Sequence, residues 1–159
     1  MPLQYSNLGV YYANGLYGFP QTHTKAVELF RRAGELGYAK SYCNIGYAYD
    51  NGEGVEVDEK KANHYYELAA MQGDSSARYN LGNDEAEEGK MNRAMKHYMI
   101  AVRNGSDDSL ERIKELYSYG YATKEEYTKA LQSYQSYLGE IKSAQRDEAA
   151  AARENYRYY

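Results

Sequence analysis

The sequence predicts an all-α chain, an open solenoid of about four helical hairpins that ends in a long C-terminal helix. Three observations predict it: an internal period of about 36 residues, apolar positions spaced by three and four, and small residues at fixed places in each copy. A hairpin of this kind cannot bury its apolar face alone, so the copies must stack.

The second helix of each copy carries the clearer signal. Lys25-Ala26 is followed by Phe30, Ala33 and Gly37, Lys61-Ala62 by Tyr66, Ala69 and Gly73, and Arg93-Ala94 by Tyr98, Ala101 and Gly105. A fourth copy opens at Lys129-Ala130 with Tyr134, but Tyr137 and Ile141 replace the alanine and the glycine. Upstream, Leu8-Gly9 precedes Tyr12, Ile45-Gly46 precedes Tyr49 and Leu81-Gly82 precedes Glu85; in the fourth copy Ile113 and Tyr117 flank Lys114. The copies occupy approximately residues 3–37, 39–73, 75–105 and 107–141 of one repeat domain, 1–153, with 154–159 as a tail.

Each copy reads as two helices. The glycine after Leu or Ile lets the second helix approach, and Ala26, Ala62 and Ala94 do the same from the other side. The aromatic four residues after each alanine is expected to fill the space between neighbouring hairpins. Asp58 and Thr123 are N-cap candidates, and Thr123 with Glu126 forms a capping box. Gly37, Gly73 and Gly105 stand where a left-handed C-cap is wanted. The run from Asp84 to Glu88 reads as a solvated helix end, with a site for a basic partner or a cation as the alternative, and it is expected to fray because acids oppose the dipole there. With no terminating glycine in the last copy, its helix runs from Lys124 to about Arg153, along a stripe of Tyr127, Leu131, Tyr134, Leu138 and Ile141. Its polar, alanine-rich far end projects into solvent as a cap. Tyr156, Tyr158 and Tyr159 read as a disordered tail or a short docking peptide.

Residues 52–62, GEGVEVDEKKA, contain two glycines one residue apart. A dinucleotide fingerprint needs a third glycine where Val57 stands, and a strand in front of it. A P-loop needs Gly-Lys-Ser/Thr, and a calcium loop begun at Asp50 would put Gly52 and Gly54 at ligand positions. The glycines therefore turn the chain between two helices, with Val55 under the loop.

Bulk chemistry narrows the partners. The net charge is −4 with acidic and basic residues interleaved, which disfavours nucleic acid. No apolar run approaches the ~18 residues that span a bilayer, and the N-terminal stretch lacks the pattern of a secretory signal. A single cysteine, Cys43, excludes an internal disulfide and favours a reducing, cytoplasmic setting. The 21 tyrosines, against two phenylalanines and no tryptophan, suit a thin core with wet edges. His23, His64 and His97 have no metal-ligand spacing and read as surface or boundary residues; Cys43, with no base near in sequence, reads as a small helix residue. No cofactor is implied.

The segment AKSYCNIGYAYDNGEGVEVDEKKANHYYELAAMQG closely resembles the Sel-1-like repeat, a relative of the tetratricopeptide repeat. The match rests on Ala39, Ile45, Gly46, Tyr49, Gly52, Gly54, Val55, Asp58, Lys61, Ala62, Tyr66, Ala69, Ala70 and Gly73. It extends over roughly residues 3–137, with an abbreviated acidic loop in the third copy and only a skeleton in the fourth. The resemblance implies a right-handed α-α superhelix and a non-catalytic scaffold or adaptor, which binds a peptide or helix of a partner protein in a concave groove. By analogy with the tetratricopeptide arrangement, that groove includes Lys40, Cys43, Tyr47 and Asp50, then Tyr79 and Asn83, with Ser6, Val10, Glu111 and Glu115 in the outer copies. Tyr47 and Tyr79 are the expected anchors. The N-terminal edge has no capping element and a Tyr-rich outer face, which implies a longer array or self-association. The remaining alternatives are a purely self-assembling module and a hydrolase using Asp50 and Glu85 as facing carboxylates.

Overall fold

A computed structural model describes the backbone of residues 1–155 and the side chains through residue 151. Among the described residues it contains no strand and eight α-helices: α1 Pro2–Asn14, α2 His23–Glu35, α3 Ala39–Asn51, α4 Glu59–Met71, α5 Ser75–Glu87, α6 Met91–Arg103, α7 Asp107–Ser118 and α8 Lys124–Asn155. Successive pairs pack as hairpins, and α2 on α3, α4 on α5 and α6 on α7 join one hairpin to the next. The all-α solenoid expected from the repeats is the fold observed.

The hairpins close on glycine. A Cβ added at Gly9 would lie 2.6 Å from the Phe30 ring, at Gly46 2.6 Å from the Tyr66 ring, and at Gly82 2.6 Å from the Tyr98 ring. The aromatic therefore fills the space within its own hairpin, not the space between hairpins as expected. The junction between the first two hairpins uses a different glycine, Gly34, over which the Tyr42 ring lies, 2.7 Å from where a Cβ would stand. Tyr66 and Tyr98 are almost completely buried, yet each hydroxyl reaches a polar partner at the edge of the core: Asp50 at 2.6 Å and Asn83 at 2.7 Å. An apolar ring with a polar tip makes a tyrosine core possible in so thin a structure.

Local signals set the helix ends. The carboxylate of Asp58 accepts from the Lys61 amide at 3.0 Å, and Asp74 accepts from the Ala77 amide at 2.8 Å. Thr123 and Glu126 exchange backbone and side-chain bonds of 2.8 and 3.2 Å as a capping box. The acidic end of α5 is helical through Glu87, and Arg93 at 2.9 Å and Lys90 at 3.9 Å from Glu85 bring the basic start of α6 against its charge. In the loop after α3, Gly52 (φ 70°) caps the helix and Gly54 (φ 75°) lies against the first turn of α2, 2.4 Å from the His23 carbonyl carbon to a notional Cβ. This loop turns the chain and also ties the second hairpin to the first.

Beyond Leu138, α8 is exposed along its described length. It continues through Glu154 and Asn155; Tyr156, Tyr158 and Tyr159 lie outside the described residues. No described helix is long and apolar enough to cross a membrane.

Candidate functional site

The two main clefts of the first half meet at Tyr47, which projects from α3 and is 51% exposed. On one side is a mainly apolar slot of about 150 Å³. Val10 and Ala13 of α1, Ala26, Val27 and Phe30 of α2 and Ala48 of α3 form its walls. A His23–Glu53 pair at 3.6 Å stands at its polar end. On the other side is a polar trough of about 430 Å³ between α3 and α5, with the N-terminal half of α4 contributing to its wall.

The trough is acidic. Asp50, Glu59, Asp84, Glu87 and Glu88 border it together with four asparagines and two tyrosines, and its lining contains no lysine or arginine. Lys90 pairs with Glu88 at the rim. Asp84 is half-buried, and burial pushes its carboxyl up to about 6, helped by the charges of Asp50, Glu87, Glu59 and Glu88. Its Oδ2 and the Oδ1 of Asn63 are shut off from water and have no hydrogen-bond donor. Such a surface attracts cations, and Asp84 can hold or release a proton near pH 6. Among the described residues no three His, Cys, Asp or Glu side chains come together as a group suited to a metal ion.

The residues expected in the groove are divided by the structure. Tyr47, Asp50 and Asn83 border the trough together, and Val10 borders the slot. Cys43 does not face a groove: it is buried under Asn80, whose amide nitrogen lies 3.8 Å from the sulfur, and burial pushes its thiol up to about 12. Ser6 is likewise buried. Tyr79 is half-buried against the core shared by α6 and α7, 6.1 Å from the Tyr98 ring, and borders neither cleft. Lys40 is exposed but outside both clefts, and so are Glu111 and Glu115, whose carboxylates are taken by Lys114 and Arg112. The proposed carboxylate pair is separated: Asp50 borders the trough, whereas Glu85 is bonded to Arg93 in a different cleft between α4, α5 and α6.

Asn80 was not singled out from the sequence, whereas Asp84 and Glu87 were read there only as part of the acidic run at the end of α5. The signal was present: with Asn83 they fall at spacings of three and four along α5, a polar stripe on one helical face.

A model of the Sel1 repeat family matches residues 5–38 and 39–74. The crystal structure of a Sel1 repeat protein from Oxalobacter formigenes superposes with a TM-score of 0.70 at 26% identity, over 91% of this chain and 59% of that one. That of c5321, a protective antigen of uropathogenic Escherichia coli with an SLR fold, gives 0.68 at 28% identity, over 83% of this chain and 30% of that one. The ERAD-associated E3 ubiquitin-protein ligase component HRD3B of Arabidopsis thaliana is 37% identical over 76 residues, 47% of this chain. Chitin synthase regulatory factor 4 of Schizosaccharomyces pombe is 27% identical over 107 residues, 67% of this chain. The chain spans only 11% and 17% of the lengths of these two proteins.

Proposed function

Because this chain is a Sel1 repeat protein, we propose that it is a non-catalytic adaptor that holds a peptide or helix of another protein against α3 and α5. One relative is named as a component of a ligase and another as a regulatory factor, which supports a role in assembly. The observation that carries the reading is Tyr47. A tyrosine half-exposed on a ridge, with an apolar slot on one side and a polar trough on the other, has the makings of an interface anchor, where one buried aromatic contributes ~2 kcal/mol or more. The acidic lining disfavours nucleic acid and anionic membrane surfaces as partners.

The test is affinity capture from source cells with wild type and Tyr47→Ala, with helicity followed by circular dichroism. Capture should fall at least tenfold while helicity is unchanged; equal capture by both overturns the reading. A cytoplasmic location belongs to the same proposal and rests on the single cysteine; cell fractionation checks it.

A second reading, self-association through the N-terminal edge, is favoured by Leu3, which is 50% exposed on α1. Light scattering against concentration tests it, with Leu3→Lys expected to abolish any concentration dependence.

A further inference from the structure

The adaptor reading leaves the chemistry of the bound segment open, and the two clefts beside Tyr47 constrain it. The slot is apolar and holds about 150 Å³. An apolar cavity of ~150 Å³ takes a benzene-sized group, which corresponds to one large aliphatic or aromatic side chain. The trough presents carboxylates and amides without a single cationic side chain in its lining.

Lysine and arginine side chains are donors with no acceptor, so they match a lining of carboxylates and amide oxygens, whereas a carboxylate would add to its negative charge. The carboxylates come from α3, α4 and α5 and are not gathered into a metal-binding group. Charge distributed in this way fits an extended organic cation better than a point ion. The exposed face of Tyr47 adds a surface for the alkyl stem or guanidinium of an entering basic residue.

We infer that the occupant is a cationic stretch of a partner protein, with one bulky apolar side chain in the slot and a lysine or arginine in the trough. This rests on the adaptor reading and specifies its ligand. The clefts lie on either side of α3. Packed helices are ~8–10 Å apart, and an extended chain advances ~3.3 Å per residue. The apolar and basic residues are therefore separated by about three positions.

The probe is a fluorescein-labelled peptide of glycine and serine in which leucine precedes a pair of arginines by three residues, followed by fluorescence anisotropy. Wild type should bind it, more weakly as salt rises, and Asp84→Asn/Glu87→Gln should bind it at least tenfold less tightly. Glu140→Gln/Glu148→Gln, which removes the same charge from the exposed part of α8, should leave binding unchanged. A peptide with glutamates in place of the arginines should not bind. No binding of the arginine peptide, equal binding of the glutamate peptide, or an equal loss in the α8 variant overturns the inference. Capture from cells separates the two proposals. Loss in Tyr47→Ala with full capture by Asp84→Asn/Glu87→Gln rejects the cationic ligand and retains the adaptor. Full capture by both variants rejects the adaptor as well.

Discussion

The Tyr66 hydroxyl donates a 2.6 Å hydrogen bond to Asp50 Oδ2, so the side chain that closes the second hairpin also fixes a carboxylate at the edge of the trough. Tyr66→Phe keeps the ring over Gly46 and removes only this bond. A hydrogen bond to a charged group contributes about 1.5–3 kcal/mol, and water reaching half-buried Asp50 recovers part of it. The expected loss is about 1–2 kcal/mol. Tyr98→Phe removes both the bond to Asn83 and the hydroxyl beside the Arg112 guanidinium, and should cost a similar amount, about 1–2 kcal/mol. Paired urea unfolding curves check both losses.

Gly46 is the tightest of the three hairpin glycines, because a Cβ there meets the backbone oxygen of Ala62 at 3.1 Å as well as the Tyr66 ring. A ring can tilt, but a helix backbone must move as a whole. Gly46→Ala should therefore destabilise by about 2–3 kcal/mol despite the gain of about 1 kcal/mol in helix propensity. Gly139 in α8 has nothing within 4 Å of such a Cβ, and Gly139→Ala should stabilise by about 0.5–1 kcal/mol. Thermal melts of the two variants should shift in opposite directions.

These glycines show how far the sequence could be read. Their periodic placement predicted paired helices, because a missing side chain at a fixed place in every copy signals a close approach. It did not reveal that Phe30, Tyr66 and Tyr98 lie within their own hairpins, since the same spacing suits either neighbour. The analogy with the tetratricopeptide arrangement named residues that the structure separates: Tyr47, Asp50 and Asn83 border one trough, whereas Cys43 and Tyr79 are covered by Asn80 and by the α6–α7 core. Burial of these two depends on the neighbouring repeat, which periodicity within one helix does not report.

Gly54 answers for the loop that joins α3 to α4. Any side chain there must adopt φ near 75° and would run into the backbone of His23 and Thr24. A left-handed L-residue costs about 1–2 kcal/mol and the clash adds about 1–3, so Gly54→Ala should lose about 2–4 kcal/mol. Gly18→Ala shares the positive φ but meets nothing within 4 Å, so it should lose only the first part. Equal losses, measured by thermal unfolding, would show that the loop does not hold the first two hairpins together.

Cys43 should be unreactive in the folded protein. Burial comes first in holding its thiol protonated, and the Asp74 carboxylate adds to it. Labelling with a chromogenic disulfide at pH 8 should require local opening, and should proceed at least a hundredfold faster in 6 M guanidinium chloride. Rapid labelling of the native protein would place the thiol at an accessible surface instead.

Asp84 couples the trough to stability. Its folded-state pKa, about 6, lies above the 3.8 of a free aspartate, so between those values the folded chain binds more protons than the unfolded one. Ionisation therefore destabilises the fold as pH rises from about 4 to 6, and the penalty is complete above that window. Burial is the main cause, and Asp50 from α3, Glu87 and Glu88 at the end of α5, and Glu59 from α4, all of the same sign, add to it. For a half-open site screened by solvent the effect is on the order of 1 kcal/mol. Asp84→Asn should therefore melt about 2–4 °C higher than wild type at pH 7.5, with the difference vanishing near pH 4. A difference that grows as the pH falls would mean that the carboxylate is stabilised in its charged form. The strain of holding like charges together would be relieved by a bound cation. Saturating the wild type with the arginine peptide at pH 7.5 should raise its melting temperature, whereas the glutamate peptide should leave it unchanged.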